Sequence, residues 1–324
     1  METQAFFPVL APVTPAVCQR WFDGRDGYVA AQTPLDPRRY GVEPLAAGRA
    51  RDFVRRHHYA GSCCPVVMAC GLFYKSRAVT AAELVGVAVF SQGANFQDRV
   101  VDGVLVEERN SITCHSGLHY HEGAELGRFV LLNDPVKCPG NSESWFLAAA
   151  RRQFKATHPE KKVLLSYSDP VPRLTLAGVP VLPGHWGSCY QSSNALYLGR
   201  NRPKTQTLDA AGREVSARAV EKFLSEDSGE DYAREDLEQR SGLLWAPSES
   251  RGTFVRRVRA VMRVRRHPGN HVYLFPLAAD RREKLALLAL PKLAGAQAAM
   301  AAGERPYPKR PDAMPPLRPC LAAA

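Results

Sequence analysis

The stretch from Glu125 to Arg200 constrains the fold most. Glu125–Leu132 is a short run of strand formers, and Asn133–Ser142 is a loop dense in turn residues. Glu143–Thr157 carries Phe146, Ala149, Ala150 and Phe154 on one helical face, and Lys162–Ser166 reads as a second buried strand. A polar loop, Tyr167–Arg173, follows, and then a glycine-bounded unit from Gly184 to Gly199. Strand, loop, helix, strand in that order puts a helix N-terminus beside the C-terminal ends of two parallel strands. Open α/β sheets bind anions and do chemistry at that location. The expected class is α/β, a mixed sheet flanked by helices.

The flanking sequence fits one domain with elaborations at both ends. Residues 1–42 are punctuated by Pro and Gly and are expected to wrap the core. Residues 43–280 form the expected catalytic domain. Within it, Pro44–Arg56 has Ala46, Ala50, Phe53 and Val54 spaced for a buried helix face, with Gly61 as its left-handed stop. Pro65–Phe73 and Leu84–Phe90 read as an antiparallel pair. Residues 91–123 read as an irregular polar insertion. Strand-like Thr205–Leu208 precedes helices near 216–225 and 232–240. Residues 281–324 shift to Ala, Pro, Lys and Arg, with a helix possible over 278–293 and disorder expected in most of this tail. Truncation beyond Ala294 is then expected to leave folding intact.

A chain of 324 residues can bury a full core, and its net charge of +11 favours an anionic partner, nucleic acid first. The eight cysteines include no C-x-x-C pair, so neither a zinc ribbon nor a thioredoxin-type motif is present. Their scatter suits buried thiols in a reducing cytoplasm. The N-terminus lacks a basic leader region, and no run of about 18 apolar residues exists to span a membrane.

The order helix, antiparallel strands, strand–loop–helix–strand resembles a GNAT-type acyltransferase core. More closely, the chain resembles the Mom family of phage DNA-modification proteins over roughly residues 45–275. The resemblance rests on His58-Tyr59, Glu125–Leu132, Gly140–Phe146, Ser166–Pro170, Gly184–Gly187 with Tyr190 and Gln191, and His267–His271. It implies a GNAT-like enzyme that converts adenine in double-stranded DNA to its N6-carbamoylmethyl form and so protects DNA from restriction. The expected donor is acyl-CoA or another phosphate-containing molecule, held at Val130, Lys137, Gly140, Asn141 and Ser142 by the helix N-terminus; the alternative is that Asn141 and Ser142 only cap that helix. The usual phosphate loop is Arg/Gln-x-x-Gly-x-Gly/Ala. Here Val136–Ser142 keeps one glycine and the helix N-terminus but lacks the rest of the motif.

Asp169 follows a strand and precedes Pro170, which stops that strand. Adenine N6 is a weak nucleophile and needs a proton acceptor as charge develops, so Asp169 is the candidate base. The alternative is an Asx turn. His58 and Tyr59 either enter the site, stacking on a base, or cap a helix. Ser168, Arg173, Trp186 and Tyr190 are candidate substrate-binding residues, and Tyr197 is read as core. Cys114, His115, His119 and His121 have metal-compatible spacing but read as a solvated loop, and no metal is assigned. Arg251, Arg256, Arg257, Arg259, Arg263, Arg265 and Arg266 occur with no acidic residue before Tyr273. Of these, Arg256, Arg259 and Arg263 are expected to contact the DNA backbone; a basic outer face is the alternative. Two other functions remain open: N-acylation of a protein or small-molecule amine, and DNA binding without catalysis.

Overall fold

Apolar runs that alternate between two helix-covered faces build the centre of this molecule. The computed structural model describes residues 35–75, 82–94, 110–182 and 184–309, and the backbone alone of four short strands, Val17–Phe22, Arg25–Ala30, Arg99–Val101 and Val104–Glu107. The central sheet has seven strands: β1 (Tyr40–Pro44), β2 (Met68–Tyr74), β3 (Glu83–Ser91), β4 (Gly123–Leu131), β5 (Val163–Ser168), β6 (Leu196–Arg200) and β7 (His271–Pro276). Their order is β6-β7-β5-β4-β3-β2-β1. Every neighbouring pair is antiparallel except β4 and β5.

Strand alternation decides what each face packs. On β3, Val87 and Val89 meet α1 (Ala47–His57), whose buried stripe is Ala50, Phe53 and Val54. Ala88 and Phe90 point the other way, into the larger core under α3 (Ser142–Thr157). That helix buries Phe146, Leu147, Ala150 and Phe154, so Leu147 takes the place expected for Ala149. Phe90 stacks on Phe154 at a centroid distance of 4.3 Å. A short helix, α4 (Ser188–Ser192), leads into β6 and buries Tyr190 in the same core. Pro44 belongs to the edge strand and not to α1, and the sheet begins at Tyr40, inside the stretch read as a wrap.

Two sequence expectations are corrected. The end of the 91–123 insertion is regular: α2 (Ser111–Ser116) is capped by Asn110 and drives Ile112 into the core beside Val163 and Leu165. The chain also stays ordered well past Asp280. Helices α8 (Arg281–Leu288) and α9 (Pro291–Ala301) pack on the sheet, with Leu293 and Ala296 buried. Tyr197 N–H donates to Met300 Sδ at 3.2 Å, and Tyr307 Oη donates to the Ala195 carbonyl at 2.6 Å. An Ala-rich stretch looks like low complexity, yet a helix needs only a few apolar residues on one face to dock. Residues 310–324 lie outside the described residues.

Between β6 and β7 the chain leaves the sheet and builds a second lobe. A two-stranded ribbon, Lys204–Leu208 against Arg263–His267, carries α5 (Ala217–Ser225), α6 (Glu230–Ser241) and α7 (Arg251–Val261). These helices enclose their own core around Phe223, Leu237 and Phe254. Among the described residues no helix is long and apolar enough to cross a membrane.

The packing of α9 makes a direct prediction. Leu293→Ala empties a fully buried position and should cost about 2–5 kcal/mol of unfolding free energy in a denaturant titration. Truncation after Ala294 should lower the melting temperature clearly.

Candidate active site

The parallel pair β4–β5 opens the site. Its register covers only Gly123↔Val163, Ala124↔Leu164 and Glu125↔Leu165. Beyond that β4 continues to Leu131 and β5 to Ser168 without each other. At the point of divergence β4 is bulged: Val89 pairs with Arg128 but Phe90 with Leu126, leaving Gly127 as the extra residue. A Cβ at Gly127 would collide with Cys64 Sγ and Ser91 Oγ, so a larger residue would have to displace both side chains. The gap widens into a cleft of about 1750 Å³ that runs from the sheet to the second lobe.

Asp169 stands in that cleft, at the first position after β5, and is buried. Its Oδ1 accepts the Val171 N–H at 2.9 Å and faces His267 Nε2 at 2.9 Å. His267 is fully buried, and its Nδ1 accepts the Gly269 N–H at 3.1 Å. In neutral imidazole the other nitrogen then carries the proton, so Nε2 donates to Asp169. Among the described residues Oδ2 has one cationic neighbour, Arg173 Nη2 at 3.5 Å. The Asx turn and the catalytic reading are therefore compatible: Oδ1 fixes the loop, while Oδ2 makes no such bond and pairs only with Arg173 among the described residues.

The ribbon strand Arg263–His267 grips this loop. Residues two apart share a strand face. Arg263 Nη2 donates to the Leu174 carbonyl at 2.7 Å, Arg265 Nη1 to the Pro172 carbonyl at 2.8 Å, and His267 holds Asp169. Three side chains on one face thus fasten the segment from Asp169 to Leu174.

Around Asp169 lies a half-buried aromatic pocket. His58, the C-cap of α1, packs at a tilt against Tyr59 with ring centroids 4.2 Å apart, and its Nδ1 accepts the Ala60 N–H at 3.1 Å. Gly61 has φ +60°, the left-handed turn expected after this helix. The Arg173 guanidinium lies 5.8 Å from the Tyr59 ring centre. Burial, reinforced by Arg128, His185 and Arg173, holds His58 well below the usual imidazole range. Burial raises Tyr59, with Arg173 opposing it. His185 is pushed down to about 4 by burial, and its backbone N–H donates to the Asp169 carbonyl at 2.6 Å. His271 is likewise pushed down to about 4, burial first and Arg200 next.

Of the expected substrate-binding residues, Arg173, Trp186 and Tyr190 line the cleft. Ser168 is buried at the end of β5, outside the cleft lining. Tyr190 also packs on Tyr273 at 5.4 Å, so it is core and wall at once. Trp186 lies 5.3 Å from the His271 ring, and its Nε1 is buried without a partner among the described residues. Tyr197 is core, its hydroxyl 2.7 Å from His271 Nδ1.

The expected donor loop divides. Val130 and Asn141 line the cleft. Asn141, at φ +69°, starts α3, and Glu143 and Ser144 line the cleft beside it. Lys137 instead pairs with Glu83 at 2.8 Å and Asp134 at 3.5 Å. The Ser142 hydroxyl is buried and donates to the Pro139 carbonyl at 2.6 Å; neither it nor Gly140 lines the cleft.

The arginine run also divides. Arg263 lies on a strand and its guanidinium is spent on the Leu174 carbonyl, a position poorly suited to phosphate. Arg256 is exposed on α7 but outside the cleft; Arg259 is exposed and lines it. Ion pairs from distant acids take Arg251, with Glu230 at 2.7 Å, and Arg257, with Glu249 at 2.6 Å.

His119 caps a short 3-10 helix, His115 faces Tyr167 at 6.4 Å, and Cys114 is exposed. Among the described residues no three or more His, Cys, Asp or Glu side chains are grouped to hold a metal ion.

Fold and site together define a mixed α/β protein with a buried carboxylate at the mouth of a split sheet. The chain belongs to the Mom protein family, whose model matches residues 39–292. A comparison with curated proteins finds no match. Membership makes this a DNA-modifying protein of the phage anti-restriction kind, a transferase in general terms with DNA as its substrate.

The buried histidines fix a pH response. His185 and His271 stay neutral in the folded protein down to about pH 4. Unfolded histidines take up protons below about pH 6.5. Between these values the unfolded state binds more protons, so stability falls as pH falls. Each histidine should contribute up to about 1.4 kcal/mol per pH unit across that window. Denaturant titrations from pH 7 to 4 should show this loss, and His271→Gln should flatten the slope.

Proposed function

We propose that the protein transfers a small acyl-derived group, of the carbamoylmethyl type, to N6 of adenine in double-stranded DNA. The observation that carries this reading is Asp169: a buried carboxylate just after β5 that lines the cleft, with Oδ1 anchored and Oδ2 3.5 Å from Arg173. A flipped base is needed, because N6 lies inside the duplex. Tyr59 and Trp186, both in the cleft wall, supply rings against which the base can stack. As the bond from N6 to the transferred carbon forms, the bond from that carbon to the leaving group breaks. Its electron pair departs with the leaving group, and the N6 proton passes to Asp169 Oδ2. His267 is a positioning residue: it touches Asp169 and not the base.

A GNAT-like mechanism is supported by the strand order, by the single parallel pair that diverges after Glu125, and by the bulge at Gly127. The donor supplies the electrophilic carbon. Asn141 and Ser144, at the cleft end of α3, are the residues here that would hold its phosphate. The Glu143 carboxylate beside them and the ion pairing of Lys137 make this cradle less cationic than the sequence suggests.

The test is expression in a bacterial host, digestion of the DNA to nucleosides and mass spectrometry. A deoxyadenosine carrying the extra mass is expected. Unmodified nucleosides from soluble, folded protein would remove the proposal. Asp169→Asn should abolish the product while moving the melting temperature by only a few degrees. His267→Gln should lower the rate, by on the order of 100-fold for a misplacement near 1 Å, with DNA affinity kept.

A further inference from the structure

The lobe inserted between β6 and β7 has a core of its own, and the chemistry proposed above uses only His267 from it. Its cleft-facing surface carries more cations than acids, the acids being Glu214 and Glu221. Lys204 on the ribbon, Arg213, Arg218 in the first turn of α5, and Arg259 on α7 all line the same cleft as Asp169 and Tyr59. Thr205 and Thr207, on the ribbon between them, line it too. Arg218 is 67% exposed, and its two acidic neighbours, Glu221 and Asp227, stand 3.6 Å away in solvent. Such loose surface pairs contribute little and exchange readily for another anion. Arg259 is exposed with no acidic partner among the described residues. Lys204 and Arg213 are held more tightly, by Glu214 at 2.6 Å and Asp209 at 2.9 Å.

We infer that this lobe is the DNA clamp: the phosphate backbone flanking the target base runs along its cleft wall, over Arg218 and Arg259. The wall has the properties a duplex needs. Its cations are exposed, they belong to one continuous surface with the reacting carboxylate, and the threonine hydroxyls among them can donate to phosphate oxygens. Four other arginines of the run are engaged elsewhere, Arg263 and Arg265 holding the Asp169 loop and Arg251 and Arg257 ion-paired, while Arg256 and Arg266 are exposed outside the cleft. The inference rests on DNA being the substrate and is independent of which group is transferred.

The test measures duplex binding against salt concentration for the full chain. Arg218→Gln and Arg259→Gln, singly and together, remove charge while Gln keeps a helix propensity close to that of Arg. For each phosphate no longer neutralised, the slope of log affinity against log salt should become shallower by about 0.9. The double variant should therefore differ by about 1.8, for all sequences alike. Arg256→Gln is the control: same helix, exposed, outside the cleft. It should keep the parent's slope. Equal changes in the control and the single variants would reduce the effect to net charge and overturn the clamp. So would a double variant with the parent's slope. Asp169→Asn should bind with the parent's slope, which separates the two proposals. If nucleosides are unmodified but the clamp variants show the shallower slope, the chemistry fails and the clamp stands.

Discussion

Everything at the site depends on the parting of β4 and β5. A sheet interior normally satisfies each strand on both sides, and an unpaired buried amide is costly. Here the unpairing is confined to one side. Past Glu125, β4 still pairs with β3 up to Leu131, and β5 still pairs with β7 up to Ser168. Each strand keeps one ladder, and its open edge faces the cleft instead of the core. The bulge at Gly127 turns β4 away at the point where pairing ends, and the missing Cβ lets Cys64 and Ser91 close in behind it. The result is a crevice cut through the middle of a sheet whose two halves each keep their own strand pairing.

A carboxylate on a loop beside such a crevice needs to be held, and the second lobe does this. Asp169 precedes Pro170 and Pro172, which remove two backbone donors from the loop. The loop's carbonyls therefore depend on donors from elsewhere. Arg263 and Arg265 provide them, each to a carbonyl, while His267 in its Nε2–H tautomer provides one to the carboxylate. The grip is strong because guanidinium donors are charged. It also links the lobe mechanically to the reacting group. Neutral His58 and His185 add polar rings without adding cationic charge, so Arg173 and Arg128 remain the cations nearest the aromatic pocket.

Much of this was legible in the sequence. The strands, α3 and the position of Asp169 follow from short-range patterns: strand formers, a 3.6-residue apolar period and a proline stop. His58 and Tyr59 could be placed because they end a helix. What the sequence did not disclose is partnership over distance. Nothing in local pattern pairs His267 with Asp169, and nothing marks Lys137 for Glu83 when 54 residues separate them. The tail was misjudged for a different reason: alanines carry almost no patterning signal, and α9 docks chiefly through Leu293, Ala296 and Met300. The insertion was misjudged likewise, since Ile112 is a single apolar anchor among polar neighbours.

The arginine run shows why charge read along a chain differs from charge read in space. An unmixed run suggests contact with a phosphate backbone, but the break at Met262 splits it between a helix and a strand with different periods. On the strand, Arg263 and Arg265 share the face of His267 and turn to the loop, while Arg266 points the other way and stays exposed. On the helix, Phe254, Val255 and Val258 claim the buried stripe, which leaves Arg256, Arg257 and Arg259 outside. Acids from other parts of the lobe then take Arg251 and Arg257. The formal charge of +11 is thus partly consumed in holding the protein together. Only cations that are exposed, loosely paired and on the cleft wall retain enough freedom to exchange their counterions for phosphate. By that criterion Arg259 qualifies from the run itself, and Arg218 qualifies from a helix outside it, where no cluster of like charge marks it.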